Sequence, residues 1–243
     1  MLAPALPALP ALFQAMDDTW PAAALHRVGP WLVREGQGGG KRVSAATAEA
    51  PVTEADIPLA EARHRALGQT PLFLIRPGDE ALDAMLEARG YRVVDPVHLR
   101  AAPLGAFAEP DLMYSFPHWP PMAMCEDVWT ETGIGPGRQA VMRRVKGPAT
   151  AFLACAPDRI DRVAGAGFAA ISGQIAMIHA VEVLPRMRRQ GSAHNILRSA
   201  AWWAQTNGAH WLALAVTCHN EAAGKLYASL NMSIVGHYHY RSA

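Results

Sequence analysis

The chain has 243 residues, of which 51% are hydrophobic and 18% charged, so it can fold around one large core or two small ones. Its formal net charge of +1 excludes the strong overall field that recruits nucleic acid or an anionic membrane surface. The three cysteines are widely spaced and form no CxxC pair, which argues against a disulfide framework and a zinc knuckle. No apolar run reaches the roughly 20 residues of a membrane-spanning helix, so we expect a soluble cytoplasmic protein.

The N-terminal part alternates between strand and helix patterns. The apolar opening is interrupted by prolines and lacks a basic segment, so we predict a mature N-terminus that leads into a short helix over residues 11–17. A glycine cluster at residues 36–40 predicts a hairpin between strands at 31–34 and 41–46. Arg42 stands where a phosphate-binding loop would have Ser or Thr, which favours the turn. The sequence then predicts helix, strand, helix and strand over residues 53–67, 71–76, 79–89 and 91–100.

Residues 101–121 contain five prolines, a composition typical of a linker. We place a domain boundary near Leu104, which divides the chain into an N-terminal domain, residues 1–104, and a C-terminal domain, residues 105–243. The C-terminal domain is predicted to be α/β, with a turn at Pro157, Asp158 and Arg159. Its predicted helices cover residues 125–132, 137–144, 191–207 and 220–230, and its predicted strands cover 149–154, 162–171, 174–183, 210–217 and 233–241.

A short basic loop joins the strand that ends at Val183 to the helix that begins near Gly191. The loop carries Arg186, Arg188 and Arg189 next to the glycine. Backbone N–H groups and the positive end of the helix would point at one place there, which suits a diphosphate. A basic turn on a solvated surface has the same composition, so the loop alone leaves both interpretations open.

Two motifs around this loop resemble those of the GNAT superfamily of acyl-CoA-dependent N-acyltransferases. Residues 188–193 (RRQGSA) are similar to the R/Q-x-x-G-x-G/A loop of the family, and residues 220–227 (NEAAGKLY) to its N-x-x-A-x-x-L-Y motif. The predicted helix and strand between them match the expected separation, and the resemblance covers about residues 128–241. Ala193 replaces the commoner second glycine, and Asn231 replaces a glycine at a helix end, where Asn also tolerates the left-handed conformation.

The resemblance implies a GNAT fold, in which helices flank a central mixed, mostly antiparallel sheet and two strands separate at a β-bulge to admit the ligand. It implies acetyl-CoA as a co-substrate and no metal. The backbone of Val181 and Val183 would pair with the pantetheine arm, and Asn220 would bind the same arm or its neighbouring backbone. The residues implied to wrap the pyrophosphate are Arg188, Arg189, Gln190, Gly191, Ser192 and Ala193.

Acetyl transfer to an amine needs a base and benefits from an acid for the leaving thiolate, because an alkyl amine is mostly protonated at neutral pH. The resemblance places Tyr227 at the thioester sulfur. His179 and Glu182 are the candidate bases, and three positions along a strand put them on opposite faces. His179 could equally be a histidine satisfied by a carbonyl, and Tyr227 a core tyrosine.

Three other side chains offer weaker alternatives. His237 and His239 share a strand face but have no neighbouring carboxylate or cysteine in the sequence, so we predict stacked histidines and no metal site. Cys218 has no triad partner and is expected to be a small buried thiol.

The N-terminal half has the pattern of a decayed copy of the same unit. Residues 79–86 followed by Gly90 run parallel to residues 220–227 followed by Asn231, with Leu86 in the tyrosine's position. No arginine-glycine loop precedes the helix predicted from residue 53. We therefore expect a smaller N-terminal GNAT-like α/β domain that has lost its cofactor chemistry and helps to shape the acceptor cleft.

The expected function is direct transfer of an acetyl group from acetyl-CoA to a primary amine. Family members that acetylate peptide N-termini commonly have a glutamate five positions before the asparagine, where this chain has Ala215, so we expect a small-molecule amine. A catalytically silent acyl-CoA-binding module and a protein or peptide N-acetyltransferase are the alternatives. We expect a monomer or homodimer without nucleic-acid or membrane partners.

Overall fold

A computed structural model of the chain describes residues 6–157 and 159–243. Residues 1–5 of the predicted N-terminus and Asp158 of the predicted turn lie outside the described residues. The helices are α1 (Leu9–Thr19), α2 (Ile57–Ala66), α3 (Glu80–Ala88), α4 (Ala123–Glu131), α5 (Pro136–Arg143), α6 (Ser192–Thr206) and α7 (Glu221–Ser229). The strands are β1 (Ala24–Val28), β2 (Trp31–Glu35), β3 (Ala46–Ala48), β4 (Leu72–Ile75), β5 (Arg92–Pro103), β6 (Ser115–His118), β7 (Ala149–Ala156), β8 (Arg159–Ser172), β9 (Ile175–Val183), β10 (Trp211–Thr217) and β11 (Ser233–Ser242).

The helices predicted for the C-terminal half are present within a few residues of their expected ends. Two short strands escaped prediction, namely β1 and β6, and β6 lies inside the proline-rich segment. The glycine cluster also differs from the predicted hairpin turn, because residues Lys41–Val43 form a 3-10 helix and β3 begins only at Ala46. Of the described helices, none is both long and apolar enough to cross a membrane.

All eleven described strands join one sheet in the order β1-β2-β3-β4-β11-β5-β10-β9-β8-β7-β6. The pairs β3–β4 and β9–β10 are parallel, and the other pairs are antiparallel. The mixed, mostly antiparallel sheet of the prediction is therefore confirmed.

The order of elements repeats within the chain. The series β2-β3-α2-β4-α3-β5 in the first half has the same order as β8-β9-α6-β10-α7-β11 in the second. In each series an antiparallel pair is followed by a helix and a parallel strand. The fold is thus a GNAT-type unit preceded by a smaller unit of the same topology.

The last strand of each series is exchanged between the two units. Strand β5 pairs with β10, from the residue pair Val97 and Thr217 to the residue pair Pro103 and Trp211. Strand β11 pairs with β4. The strands β5 and β11 also pair with each other at the centre of the sheet. Neither unit can therefore complete its own part of the sheet without a strand from the other.

Helices cover both faces of the sheet. Helices α6 and α7 pack on one face of strands β7–β10 through Ile196, Leu197 and Tyr227, while α4 and α5 cover the other through Trp129 and Met142. Helix α1 packs across the centre of the sheet. The last core joins α2 and α3 to β2 and β4, with Leu86 completely buried.

Candidate active site

The candidate site is a cleft of about 330 Å³ that opens where β9 and β10 separate. The two strands pair only from Ile175–Trp211 to Met177–Ala213. Beyond this point both strands continue and line the cleft from Ile178 to Glu182 and from Leu214 to Thr217. The resemblance to the GNAT superfamily implied this separation of the cofactor strand from the strand that follows the loop helix.

A β-bulge at Ala180 changes the direction of the side chains that follow it. Ala180 has a φ of +51°, and the pairing with β8 shifts by one residue between His179 and Glu182. Side chains along a strand normally alternate between its two faces, and the extra residue reverses this alternation after the bulge. Two residues three positions apart then point to the same face. His179 and Glu182 therefore line the same cleft, and the expectation that they lie on opposite faces is wrong.

Glu182 lies half-buried in the cleft, on the side of β9 nearest the basic loop. Burial raises the pKa of its carboxyl above the ordinary value, while Arg188 and Arg138 oppose that rise. A carboxylate with a raised pKa accepts a proton more readily than a fully solvated one. Glu182 thus has the position and basicity that a proton acceptor needs.

His179 is only 7% exposed and makes contacts through both ring nitrogens. Its Nε2 lies 2.9 Å from the Thr19 hydroxyl, and its Nδ1 lies 3.1 Å from the Arg42 guanidinium. Arg42 can only donate, so Nδ1 is the acceptor and the ring is neutral. Burial, together with the charge of Arg42, holds the pKa of His179 well below its ordinary value. The Nδ1 lone pair, which a base would use to take a proton, already accepts a hydrogen bond from Arg42.

Tyr227 is 9% exposed and lines the cleft from α7. Burial raises the pKa of its hydroxyl to about 12, and the charge of Glu182 adds to that rise. The hydroxyl therefore keeps its proton at neutral pH. Asn220 also lines the cleft and caps α7, since its side-chain oxygen accepts a hydrogen bond of 3.1 Å from the Ala223 N–H.

The basic loop follows directly from the end of β9. Arg189 and Gly191 have φ values of +64° and +87°, and α6 begins at Ser192. A Cβ on Gly191 would meet no protein atom within 4 Å, so the glycine serves the left-handed backbone and not a tight contact. Arg188, Arg189 and Gln190 are exposed, and the Arg188 Nε lies 3.3 Å from the Val183 carbonyl.

A buried polar atom at this helix end has no partner in the described structure. The Ser192 side chain is 6% exposed, and its Oγ has no hydrogen-bond partner. It stands beside the free N–H groups of the first turn of α6. A phosphate oxygen would satisfy both kinds of donor, so the residues present fit the pyrophosphate of a CoA ester.

The structure brings together five of the predicted residues in one cleft, which are His179, Val181, Glu182, Asn220 and Tyr227. The other predicted cofactor residues do not line this cleft. They are Val183 at the end of β9, the loop residues Arg188, Arg189, Gln190 and Gly191, and Ser192 and Ala193 in the first turn of α6.

The N-terminal half supplies part of the cleft wall, which sequence analysis expected only in general terms. Trp20, Gly40, Lys41 and Arg42 line the cleft opposite β9 and β10. The Trp20 ring lies 5.0 Å from the ring of His179. Among these residues, sequence analysis singled out only Arg42, and it used that residue to argue against a phosphate-binding loop.

The side chains considered as alternative sites make contacts unrelated to the cleft. His239 Nε2 lies 2.8 Å from Asp83, and that carboxylate is shared with Arg241. No group of three potential metal ligands occurs in residues 6–157 and 159–243. Cys218 is exposed, so the expectation of a buried thiol is wrong at this position.

Comparisons with known proteins agree with this geometry. Residues 121–232 match the Acetyltransferase (GNAT) family. A Bacillus subtilis (strain 168) protein named Uncharacterized N-acetyltransferase YobR is 25% identical over 92% of this chain and 94% of its own length.

Solved structures of low identity share the fold. A GCN5-related N-acetyltransferase from Kribbella flavida is 19% identical, with a TM-score of 0.66 over 96% of this chain and 93% of its own. A tandem GNAT protein from the clavulanic acid biosynthesis pathway is 14% identical, with a TM-score of 0.62 over 99% of this chain and 89% of its own.

The fold and the cleft are those expected of an acyltransferase. Residues 121–232 thus match an acetyltransferase domain of the GNAT family, and the name of the Bacillus subtilis relative supports N-acetyltransferase activity.

Proposed function

We propose that the protein transfers the acetyl group of acetyl-CoA directly to the primary amine of a small molecule. The observation that carries this proposal is that Glu182 and Tyr227 line one cleft, at the separation of β9 and β10. One is a carboxyl of raised pKa and the other a hydroxyl that keeps its proton. Such a pair suits an acyl transfer that takes a proton from the acceptor and returns one to the leaving group.

Ser192 Oγ, the N–H groups of the first turn of α6 and the arginines 188 and 189 would hold the pyrophosphate. The free edge of β9 near Val181 would hold the pantetheine arm, and Asn220 would lie beside it. The bound thioester supplies an activated acetyl group. The role of the chain is then to orient an amine against it and to move two protons.

Glu182 is the base in this proposal. It accepts a proton from the ammonium form of the acceptor, directly or through a water, which frees the nitrogen lone pair. The C–N bond forms as the C–S bond breaks. His179 is the less suited of the two candidates, because its Nδ1 accepts a hydrogen bond from Arg42.

Tyr227 is the acid in this proposal. Its hydroxyl donates a proton to the departing sulfur. Glu182 has by then released the ammonium proton to solvent, so it can take a second proton from the nitrogen of the new C–N bond, and this proton returns to the Tyr227 oxygen directly or through a water. The closeness of the two groups is consistent with the effect of the Glu182 charge on the tyrosine pKa. The amide, free CoA and the resting protonation states remain at the end of the cycle.

A small acceptor is favoured by the walls of the cleft. Trp20, Arg42 and Ile134 lie around a space of only about 330 Å³. Ala215 also lines it, so no carboxylate stands where peptide-acetylating relatives commonly have one. A pocket of this size suits a small molecule better than a folded protein terminus.

The test is a screen of small primary amines and short peptides with acetyl-CoA, in which release of the CoA thiol is measured. We expect turnover on small amines. Turnover on peptide N-termini alone would replace the small acceptor with a peptide. Binding of acetyl-CoA without turnover on any amine would support the silent binding module.

A further inference from the structure

We propose that the acceptor carries a carboxylate in addition to its amine, and that Arg42 binds this carboxylate. This inference rests on the proposed function, because it concerns the acceptor of the same reaction. It begins from Arg42, a residue of the N-terminal half that lines the cleft.

Arg42 is a partly buried cation without an acidic partner. Its Nη1 lies 3.1 Å from His179 Nδ1, and its buried Nε has no hydrogen-bond partner in the described structure. Among the described residues, no carboxylate lies within 4.0 Å of its guanidinium. By contrast, the neighbouring cations Arg34 and Lys41 are each paired at 2.7 Å, with Asp17 and Asp95.

The surroundings of Arg42 are built to hold its side chain in one place. His179 takes one donor, and that ring is itself fixed by Thr19 and by stacking against Phe168 at 6.2 Å. A hydrogen bond with the Tyr238 hydroxyl also holds the guanidinium. The Asp17 carboxylate, which pairs with Arg34, acts on the Arg42 charge without contacting it. A buried charge without a directly paired counter-ion is unfavourable, so an anion supplied by the ligand would offset this unfavourable energy.

Arg42 also lies at a suitable distance from the reacting groups. It contacts His179, which precedes Glu182 by three positions on one strand, and three strand residues span about 10 Å. The bulge between them shortens this distance. A single small molecule can therefore present an amine to Glu182 and an anion to Arg42.

A carboxylate fits this position better than a neutral group or a second cation. The guanidinium offers a planar fork that matches two carboxylate oxygens. Arg138 also lines the cleft, so the positive potential extends along its wall. The basic residues Lys41, Arg42 and Arg138 outnumber the acidic residues Asp95 and Glu182 in the cleft lining. This net positive lining favours zwitterions over plain alkyl amines, which are cations in solution.

The experiment compares amino acids with their own carboxamides as acceptors. The series runs from glycine to 5-aminopentanoate, and each acid is paired with the amide of equal length. We expect kcat/KM for the best acid to exceed that for its amide by about 10- to 100-fold, the usual range for a hydrogen-bonded charge. Arg42→Met should reduce this ratio to near one.

Arg143→Met is the matched control, because Arg143 lies on α5 outside the cleft and pairs with Glu126. It should leave the ratio at the wild-type value. Arg42→Lys keeps the charge and should retain a preference for the acid. This variant keeps the test decisive if Arg42→Met fails to fold.

Several outcomes would overturn the inference. Amides acetylated as well as acids, or amines with a phosphonate preferred over those with a carboxylate, would refute it and leave the acetyltransferase proposal standing. If no amine is acetylated, the proposed function fails. Calorimetry with an N-acetylated amino acid and its amide then tests Arg42 without turnover, and equal affinity for the two would refute the carboxylate site.

Discussion

The hydroxyl of Tyr227 sits in a packed, mostly buried position, so its removal should affect chemistry more than folding. Tyr227→Phe keeps the ring that packs against α6 and β10. We expect turnover to fall by roughly 10²- to 10⁴-fold, the usual contribution of a positioned general acid. The affinity for acetyl-CoA and the melting temperature should change little. Near-normal turnover would make Tyr227 a packing residue and refute its role as acid.

Glu182 should set the acidic limb of the pH–rate profile. Burial raises the pKa of its carboxyl, so the base form is lost as the pH falls through that raised value. In Glu182→Gln, kcat/KM should drop by about 10²- to 10⁴-fold and the residual rate should lack this limb. The double variant with Tyr227→Phe should show less than additive loss if both groups act in one transition state. If Glu182→Gln keeps the acidic limb of the pH–rate profile, another group is the base.

His179 should influence stability in acid more than the reaction itself. Its pKa is depressed in the folded protein by burial, so the unfolded chain binds its proton first as the pH falls. The stabilisation is present above the ordinary histidine pKa and declines as the pH drops below it. The melting temperature of wild type should therefore fall more steeply between pH 7 and pH 5 than that of His179→Asn. Parallel curves for the two proteins would contradict this.

At the scale of elements, the start of α6 supplies the proposed phosphate-binding groups. Ser192→Ala removes the unpartnered Oγ and should weaken acetyl-CoA binding by about 10-fold, since a hydrogen bond to a charged group contributes about 1.5 kcal/mol or more. The rise in melting temperature on adding acetyl-CoA reports this loss. Thr206→Ala, at the far end of the same helix, is the control. An equal rise in both variants would place the pyrophosphate elsewhere.

The sequence was informative about these elements where a motif fixed both spacing and backbone. The helices α6 and α7, their strands and the left-handed Asn231 were all predictable from the two motifs. The face to which each β9 side chain points was not predictable, because a bulge leaves the composition of a strand unchanged. The bulge is visible only in the structure, where Ala180 has a left-handed conformation. The glycine cluster was misjudged for a similar reason, since turn residues do not specify where the next strand begins.

At the scale of the whole molecule, the wall of the cleft depends on contacts that no local pattern encodes. Arg42 and His179 are 137 positions apart in sequence, and Trp20 is still further from His179. In its local sequence, each of these residues looks like an ordinary surface cation or core aromatic residue. Their meeting follows from the packing of the two units, which is a property of the sheet as a whole.

The division of the chain at residue 104 remains a prediction, and the exchanged strands suggest how to test it. Residues 109–243 alone lack β5, which pairs with both β10 and β11. This fragment would expose one edge of β10 and both edges of β11, whose partners are β4 and β5, together with the apolar surface that α1 covers. We expect it to aggregate or to bind acetyl-CoA far more weakly than the full chain.

Co-expression of residues 1–108 with residues 109–243 should restore a soluble complex, because the break falls in the exposed loop between β5 and β6. Such a complex should bind acetyl-CoA and turn over the same amines, since both parts of the cleft wall are then present. The control adds residues 1–91, which end before β5 and should not rescue the C-terminal fragment. A folded, acetyl-CoA-binding 109–243 fragment would show that the C-terminal unit needs no strand from its neighbour, and that the exchange seen in the sheet is dispensable for the cofactor site.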